Sequence, residues 1–149
     1  MFGYRRAAIM AASLALAFAT PAMAQSDPFV GGDYVDVASV TIDDGHYLDY
    51  AKFLETKWRD EQEFALKQGW ITGYEVLANT HKRPGEPDLI LVTRYAAAPT
   101  GAESDRRNKL FLAHVSATDA AMEAASGDRA KYRHVIGSQQ WQVLSFRKP

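Results

Sequence analysis

Three charged side chains within predicted strands are the first candidates for chemistry. Asp36, Glu75 and Arg94 each lie among the aromatic and β-branched residues that favour strands. A charge on a buried face of a sheet must be paired, or its pKa shifts. If Glu75 and Arg94 share a face, Arg94 holds Glu75 ionised or binds an anionic ligand through its planar guanidinium. We therefore name Glu75 a candidate catalytic base and Arg94 a candidate ligand-binding residue, with an ordinary surface ion pair as the simpler alternative.

The register of one predicted hairpin decides whether these two side chains meet. Its strands span 71–79 and 88–95, and the connecting turn contains Pro84, Gly85 and Pro87, which break helices and strand ladders. A shift of one residue moves every side chain of a strand to the opposite face, and a turn of this length does not set the register. Both arrangements therefore remain open from the sequence.

Histidines are the next candidates for catalysis or ligand binding. His114 lies on the apolar stripe of a predicted helix, where it could act as a base or an axial haem ligand. A half-buried core histidine is the more common outcome at such a position. His134 is a second candidate for haem. His46 and Asp49 are one helical turn apart and could share a metal, but a solvated helix start is the more common explanation, and we assign no metal site.

Aromatic side chains recur along the predicted strands. Tyr74, Tyr95 and Trp141 are of the type that lines pockets for flat apolar or aromatic ligands. Aromatic residues are more often part of a core or an interface than of a binding site. We name these three, together with Arg94, as candidate ligand-binding residues.

Composition and motifs exclude several classes of function. The chain contains no cysteine, which excludes disulfides, thiol catalysis and cysteine metal sites. Its formal net charge is −1, so it lacks the basic surface of a nucleic-acid-binding protein. Glycine-rich phosphate loops, the HExxH zinc motif and the GxSxG serine motif do not occur in it. A serine triad assembled in space stays open.

The N-terminus has the pattern of a secretory signal peptide over residues 1–24. Arg5 and Arg6 precede an apolar run from 7 to 19, and Ala22-Met23-Ala24 forms a small-x-small cleavage site. The apolar run is shorter than the roughly 20 residues that span a bilayer. We therefore expect a periplasmic or secreted protein, with a flexible lead-in over 25–33 and a single domain over 34–149.

The order of elements predicts an α+β fold. A strand over 34–42, a helix over 46–68, the hairpin, a helix from 102 to about 125, a short helix over 129–135 and a strand over 141–146 follow one another. This βαββαβ order predicts a ferredoxin-like two-layer sandwich, a four-stranded antiparallel sheet with the helices on one face. The first and third strands are apolar on both faces, so the other face of the sheet is expected to form an interface.

This combination resembles the dimeric α+β-barrel superfamily, in which two such sheets pack face to face around a cavity. The resemblance covers most of residues 34–146 and implies a homodimer. The resemblance implies three alternative functions. The protein binds a small organic ligand, or it is a cofactor-independent monooxygenase or isomerase with Glu75 or His114 as base, or it binds haem. Ligand binding in a cavity, between sheet and helices or between protomers, is our preferred hypothesis. Whether the protein is an enzyme stays open.

Overall fold

A computed structural model of the chain describes residues 27–148. The predicted signal peptide, residues 1–24, lies outside the described residues. The elements in chain order are β1 (Phe29–Ile42), α1 (Tyr47–Phe53), a π-helical segment (Leu54–Trp58), α2 (Arg59–Lys67), β2 (Gly73–Ala78), β3 (Leu89–Tyr95), α3 (Gly101–Val115), α4 (Asp119–Arg129) and β4 (Arg133–Phe146). None of the helices in this part of the chain is long and apolar enough to cross a membrane.

The four strands form one antiparallel sheet in the order β2-β3-β1-β4. Together with the order of elements along the chain, this sheet confirms the predicted ferredoxin-like α+β fold. α1 and α2 pack on one face of the sheet, and α3 packs against α2. We call the face against α1 and α2 the covered face and the opposite one the open face.

The core lies between the covered face and the first helical stretch. Val40 of β1, Leu89 of β3, Tyr50 of α1 and Leu54 of the π-helical segment form its buried centre. The helical side chains recur at spacings of about four residues, so they lie on one stripe that faces the sheet. Gly69 follows α2 with a φ of 69°, the left-handed conformation in which a helix commonly ends at glycine.

Both ends of the long β1–β4 pair differ from the prediction. β1 begins at Phe29, inside the predicted flexible lead-in, because its first residues pair with the end of β4. The rings of Phe29 and Phe146 lie 5.3 Å apart across this pair. β4 begins at Arg133 and not at 141, so the predicted short helix over 129–135 is wrong. Pairing of Ile42 with Arg133 extends the ladder through residues whose local sequence suggested a helix.

The second predicted helix is two helices. α3 ends at Ser116, which adopts the left-handed conformation with a φ of 50°. Thr118 then caps α4, since its Oγ1 accepts a hydrogen bond from the amide of Ala121 at 3.2 Å. The apolar periodicity continues through this break, so it did not mark the change in direction of the chain.

Candidate functional site

A row of polar side chains crosses the covered face of the sheet. Cross-strand pairing places Tyr74 of β2, Thr93 of β3, Asp36 of β1 and Gln140 of β4 side by side. We call these four residues the polar row. Residues directly opposite in neighbouring strands point to the same face, so all four lie on the side of the helices. Asp36 and Gln140 of this row are exposed and Tyr74 and Thr93 half-buried, in contrast to the buried apolar core next to it around Val40.

Tyr95 ties the middle of the polar row together. Its hydroxyl donates a hydrogen bond to Asp36 Oδ1 at 3.1 Å and accepts one from Gln140 Nε2. Gln140 Nε2 also donates to Asp36 Oδ1 at 3.2 Å. Burial, and then the hydrogen bond to Asp36, raise the pKa of Tyr95 above its ordinary value. The Tyr95 hydroxyl therefore stays protonated and fixes the carboxylate of Asp36.

Side chains of α2 hold the other end of the row. Thr93 Oγ1 donates to Gln62 Oε1 at 3.2 Å, and the Tyr74 hydroxyl donates to Glu63 Oε1. The bond to Glu63 raises the pKa of Tyr74. The rings of Trp58 and Tyr74 are nearly perpendicular, with centroids 5.4 Å apart and planes at 83°. The helical layer and the polar row are thus joined by specific contacts.

Above the polar row lies a cleft of about 410 Å³ between sheet and helices. We call it the sheet cleft; its lining includes Asp36, Trp58, Leu91, Thr93, Ser138 and Gln140. Among the described residues that line it, Asp36 is the one charged side chain. The lining thus combines an aromatic wall, an apolar patch and several hydrogen-bonding groups. Such a mixture is typical of sites for small organic molecules.

Trp58 enters the cleft from the last position of the π-helical segment. In this segment Thr56 Oγ1 donates to the carbonyl of Lys52 at 2.7 Å, a side-chain bond that competes with the helical backbone ladder. Trp58 also lines a second, more apolar groove of about 440 Å³ beside β2, which contains Leu54, Val76 and Leu89. Short π-helical segments inside α-helices occur frequently at functional sites. The local geometry therefore places Trp58 between a polar and an apolar cleft.

Glu75, Arg94 and Trp141 lie on the open face. The register pairs Gly73 with Arg94, so Glu75 and Arg94 share a face, and Arg94 Nη2 lies 2.6 Å from Glu75 Oε1. Val35 is the cross-strand neighbour of both Arg94 and Trp141, which places these two in one row. Both members of the ion pair are substantially exposed, so its contribution to stability is small. The catalytic role of Glu75 and the ligand-binding roles of Arg94 and Trp141 stay predictions.

His114 lies on helix α3, whereas the other candidate site residues lie on strands. Its Nε2 is 2.9 Å from Asp60 Oδ2, and its ring stacks on Phe64 with centroids 4.1 Å apart. It lines a third cleft, of about 390 Å³, between α1–α2 and α3–α4. We call this the helix cleft; its lining includes Phe53, Lys57, Glu61, His114, Met122 and Arg129. The predicted roles of His114 as base or haem ligand stay predictions.

Two other histidines also pair with carboxylates. His46 Nδ1 lies 3.0 Å from Asp49 Oδ2, and His134 Nε2 lies 3.0 Å from Asp43 Oδ1. Between residues 27 and 148, no three histidine, aspartate or glutamate side chains are grouped so that they could hold a metal ion. His46 occupies the N-cap position of α1, and Asp49 lies in its first turn.

The structure brings only some of the predicted site residues together. Tyr74 and Tyr95 belong to the covered face, whereas Glu75, Arg94 and Trp141 belong to the open face. Sequence reasoning did not name Trp58 or Gln140 as site residues. Trp58 was assigned to the apolar stripe of its helix, and Gln140 stood outside the predicted last strand. A longer β4 in the prediction would have placed Gln140 opposite Asp36.

Comparison of the chain with protein-family models, curated proteins and solved structures found no match.

Proposed function

We propose that this protein binds a small organic molecule in the sheet cleft. The observation that carries this proposal is the polar row beneath the indole of Trp58, with Asp36 held by Tyr95 and Gln140. Pre-positioned polar groups beside an aromatic wall give a ligand both orientation and apolar contact. This is the preferred hypothesis from the sequence, and of its two alternatives we propose the cavity between sheet and helices.

The charge of the lining defines the class of ligand. Asp36 accepts hydrogen bonds, and no cationic side chain occurs among the described residues that line the sheet cleft. A carboxylate ligand would therefore meet repulsion without a compensating partner. The proposal names a neutral or cationic molecule with a flat body and at least one hydrogen-bond donor.

Three benzene derivatives of similar size and different charge test this assignment. Benzylamine, benzyl alcohol and benzoate are titrated into the mature protein, and binding is followed by tryptophan fluorescence. We expect benzylamine to bind most tightly and benzoate most weakly. Asp36→Asn should remove this order, and Trp58→Phe should remove most of the fluorescence response, whereas Trp70→Phe should keep it. Equal affinities for all three probes in the wild type would contradict the proposal.

The proposal includes export and assembly. The pattern of residues 1–24 supports secretion to the periplasm or beyond. The open face supports a homodimer, because two large apolar residues on it, Leu77 and Trp141, are 47% and 58% exposed. Native mass spectrometry of the protein purified from the periplasm measures three properties together. These are cleavage before Gln25, the mass of the assembly, and any retained ligand.

Trp141 provides the sharper test of the dimer. Trp141→Arg changes an exposed side chain of the open face, so the fold should persist while the dimer dissociates. Leu48→Arg is the matched control, since Leu48 is 69% exposed on α1, away from the sheet. A wild-type monomer, or an equal effect of the two substitutions on the sedimentation coefficient, would contradict assembly through the open face.

A further inference from the structure

The helix cleft is lined by apolar and charged residues that do not line the sheet cleft. Its floor is apolar, with Val115 and Met122 opposite Phe53. Ala121 and Ala125, one helical turn apart on α4, and Ala117 before it line the same space with small side chains. The volume of about 390 Å³ lies within the range of small-molecule sites.

Arg129 is the most informative side chain in this cleft. Its guanidinium lies over the ring of Phe53, with the central carbon 4.0 Å from the ring centroid. Its Nε is buried and has no hydrogen-bond partner among the described residues, a state that it shares with Arg133 Nε. Arg94, Arg106 and Arg107, in contrast, are each paired with a carboxylate. A buried donor without a partner is uncommon in folded proteins, and a bound acceptor is one way to satisfy it.

A second cation lines the same cleft. Lys57 forms no ion pair with any residue between 27 and 148. Lys57 is on the π-helical segment and Arg129 at the end of α4, so the two cations approach the cleft from separate elements. Two positive groups beside an apolar floor are the arrangement that an amphipathic anion requires.

The acidic residues of the cleft do not cancel this preference. Asp60 is engaged by His114 at 2.9 Å. Burial raises the pKa of Glu61, and the positive charge of Arg129 offsets part of that increase. The groups that face the cleft are thus the cations Lys57 and Arg129, the carboxylate of Asp60 with its partner His114, and Glu61, whose pKa burial raises.

We propose that the helix cleft binds an organic carboxylate with an apolar body. The carboxylate lies against Arg129 and Lys57, and the apolar body lies along Met122 and Val115. This site is separate from the sheet cleft and has the opposite preference for ligand charge.

Octanoate and the neutral 1-octanol are the probes, titrated into the mature protein by calorimetry. We expect octanoate to bind at least about tenfold more tightly than 1-octanol, since a charge-assisted hydrogen bond contributes roughly 1.5–3 kcal/mol, or about tenfold to a hundredfold in affinity. Arg129→Gln should remove this difference and leave the affinity for 1-octanol unchanged. Lys109→Gln on α3, which lies outside the cleft lining, is the charge-matched control and should change neither affinity.

A second variant is needed if the Arg129→Gln protein unfolds because the contact between Arg129 and Phe53 is lost. Ala125→Leu fills the cleft without removing a native contact of a charged group, so it should abolish binding of both probes while the protein stays folded. Folding of each variant is checked by circular dichroism before titration.

Several results would overturn the proposal. These are no octanoate binding to the folded wild type, equal binding of octanoate and 1-octanol, or unchanged octanoate binding in folded Arg129→Gln or Ala125→Leu. Asp36→Asn separates the two clefts. Octanoate binding that changes in this variant would place the anion in the sheet cleft, whereas unchanged binding supports the helix cleft whether or not the sheet cleft binds its own ligand.

Discussion

The substitution Tyr95→Phe removes one hydroxyl group and should show how much its hydrogen bonds to the polar row contribute to the free energy of unfolding. Tyr95 is 9% exposed, and its hydroxyl makes two hydrogen bonds, one to Asp36 and one from Gln140. The bond to a carboxylate is the stronger, but Asp36 is exposed, and Gln140 retains its own bond to Asp36 after the substitution. We therefore expect a loss of about 1.5 kcal/mol in the free energy of unfolding, near the lower limit for a charged hydrogen bond.

Chemical denaturation and thermal unfolding provide the assay. A loss of about 1.5 kcal/mol should lower the midpoint of thermal unfolding by roughly 5 °C in a domain of this size. Tyr34→Phe is the matched control. The ring of Tyr34 stacks on Tyr95 with centroids 5.8 Å apart, and among residues 27–148 its hydroxyl has no hydrogen-bond partner. This control should change stability by less than about 0.5 kcal/mol.

The dependence of stability on pH gives an independent check on Tyr95. Its pKa is raised above the ordinary value of 10.0 by burial and by Asp36. In the unfolded chain the hydroxyl ionises first, so the unfolded state binds fewer protons than the folded state above pH 10. The stabilisation that comes from the raised pKa of Tyr95 is fully present below pH 10. It is lost as the pH rises through the pKa of Tyr95 in the folded protein. Tyr95→Phe should therefore weaken the alkaline loss of stability.

A double-mutant cycle shows whether the reasoning is correct. Tyr95→Phe and Asp36→Asn should be coupled by more than about 0.5 kcal/mol, because the two groups share a hydrogen bond. Purely additive effects, or a Tyr95→Phe protein as stable as Tyr34→Phe, would refute the claim that this network holds the sheet cleft in shape.

Three further predictions test the fold that positions the clefts. Leu54→Ala should destabilise the protein by about 2–4 kcal/mol, because it opens a cavity in the core, whereas the same change at the exposed Leu48 should cost less than about 0.5 kcal/mol by denaturation. Ser116→Gly should be neutral or stabilise by up to about 1 kcal/mol, since it relieves a left-handed backbone, and Ala113→Gly inside α3 should destabilise. Two arginines of α3 lower the pKa of Glu103 to about 2, so stability should fall as the pH drops from about 4.5 to 2, and Glu103→Gln should flatten this decline.

The composition of single segments was sufficient to predict the fold class. Apolar residues spaced by about four positions identified the first helix, and Leu54 and Trp58 of that stripe do face the sheet. The β-branched and aromatic run around Val92 identified a strand, and Gly69 identified the end of α2. These signals are local, because helix and strand periods depend on neighbours within a few positions. They located most elements but missed the start of β4 and the break at Ser116.

The candidate site depended on contacts between distant parts of the chain. Asp36 and Gln140 are 104 positions apart, and Asp36 and Tyr95 are 59 apart, yet both pairs are hydrogen-bonded. The register of β2 against β3 was equally undetermined, and it placed Glu75 with Arg94 on the open face. Each residue type was compatible with either face, since a one-residue shift exchanges the two.

The sequence by itself determined the fold class, most of the helices and strands with their order along the chain, and the absence of cysteine. Only the tertiary structure decided which polar side chains share a cleft. The physical reason is that backbone periodicity is a property of short segments, whereas cross-strand partners are selected when the whole sheet assembles against its helices. In this protein that selection put Asp36, Tyr95 and Gln140 beneath Trp58, and left Arg129 and Lys57 in a separate cleft.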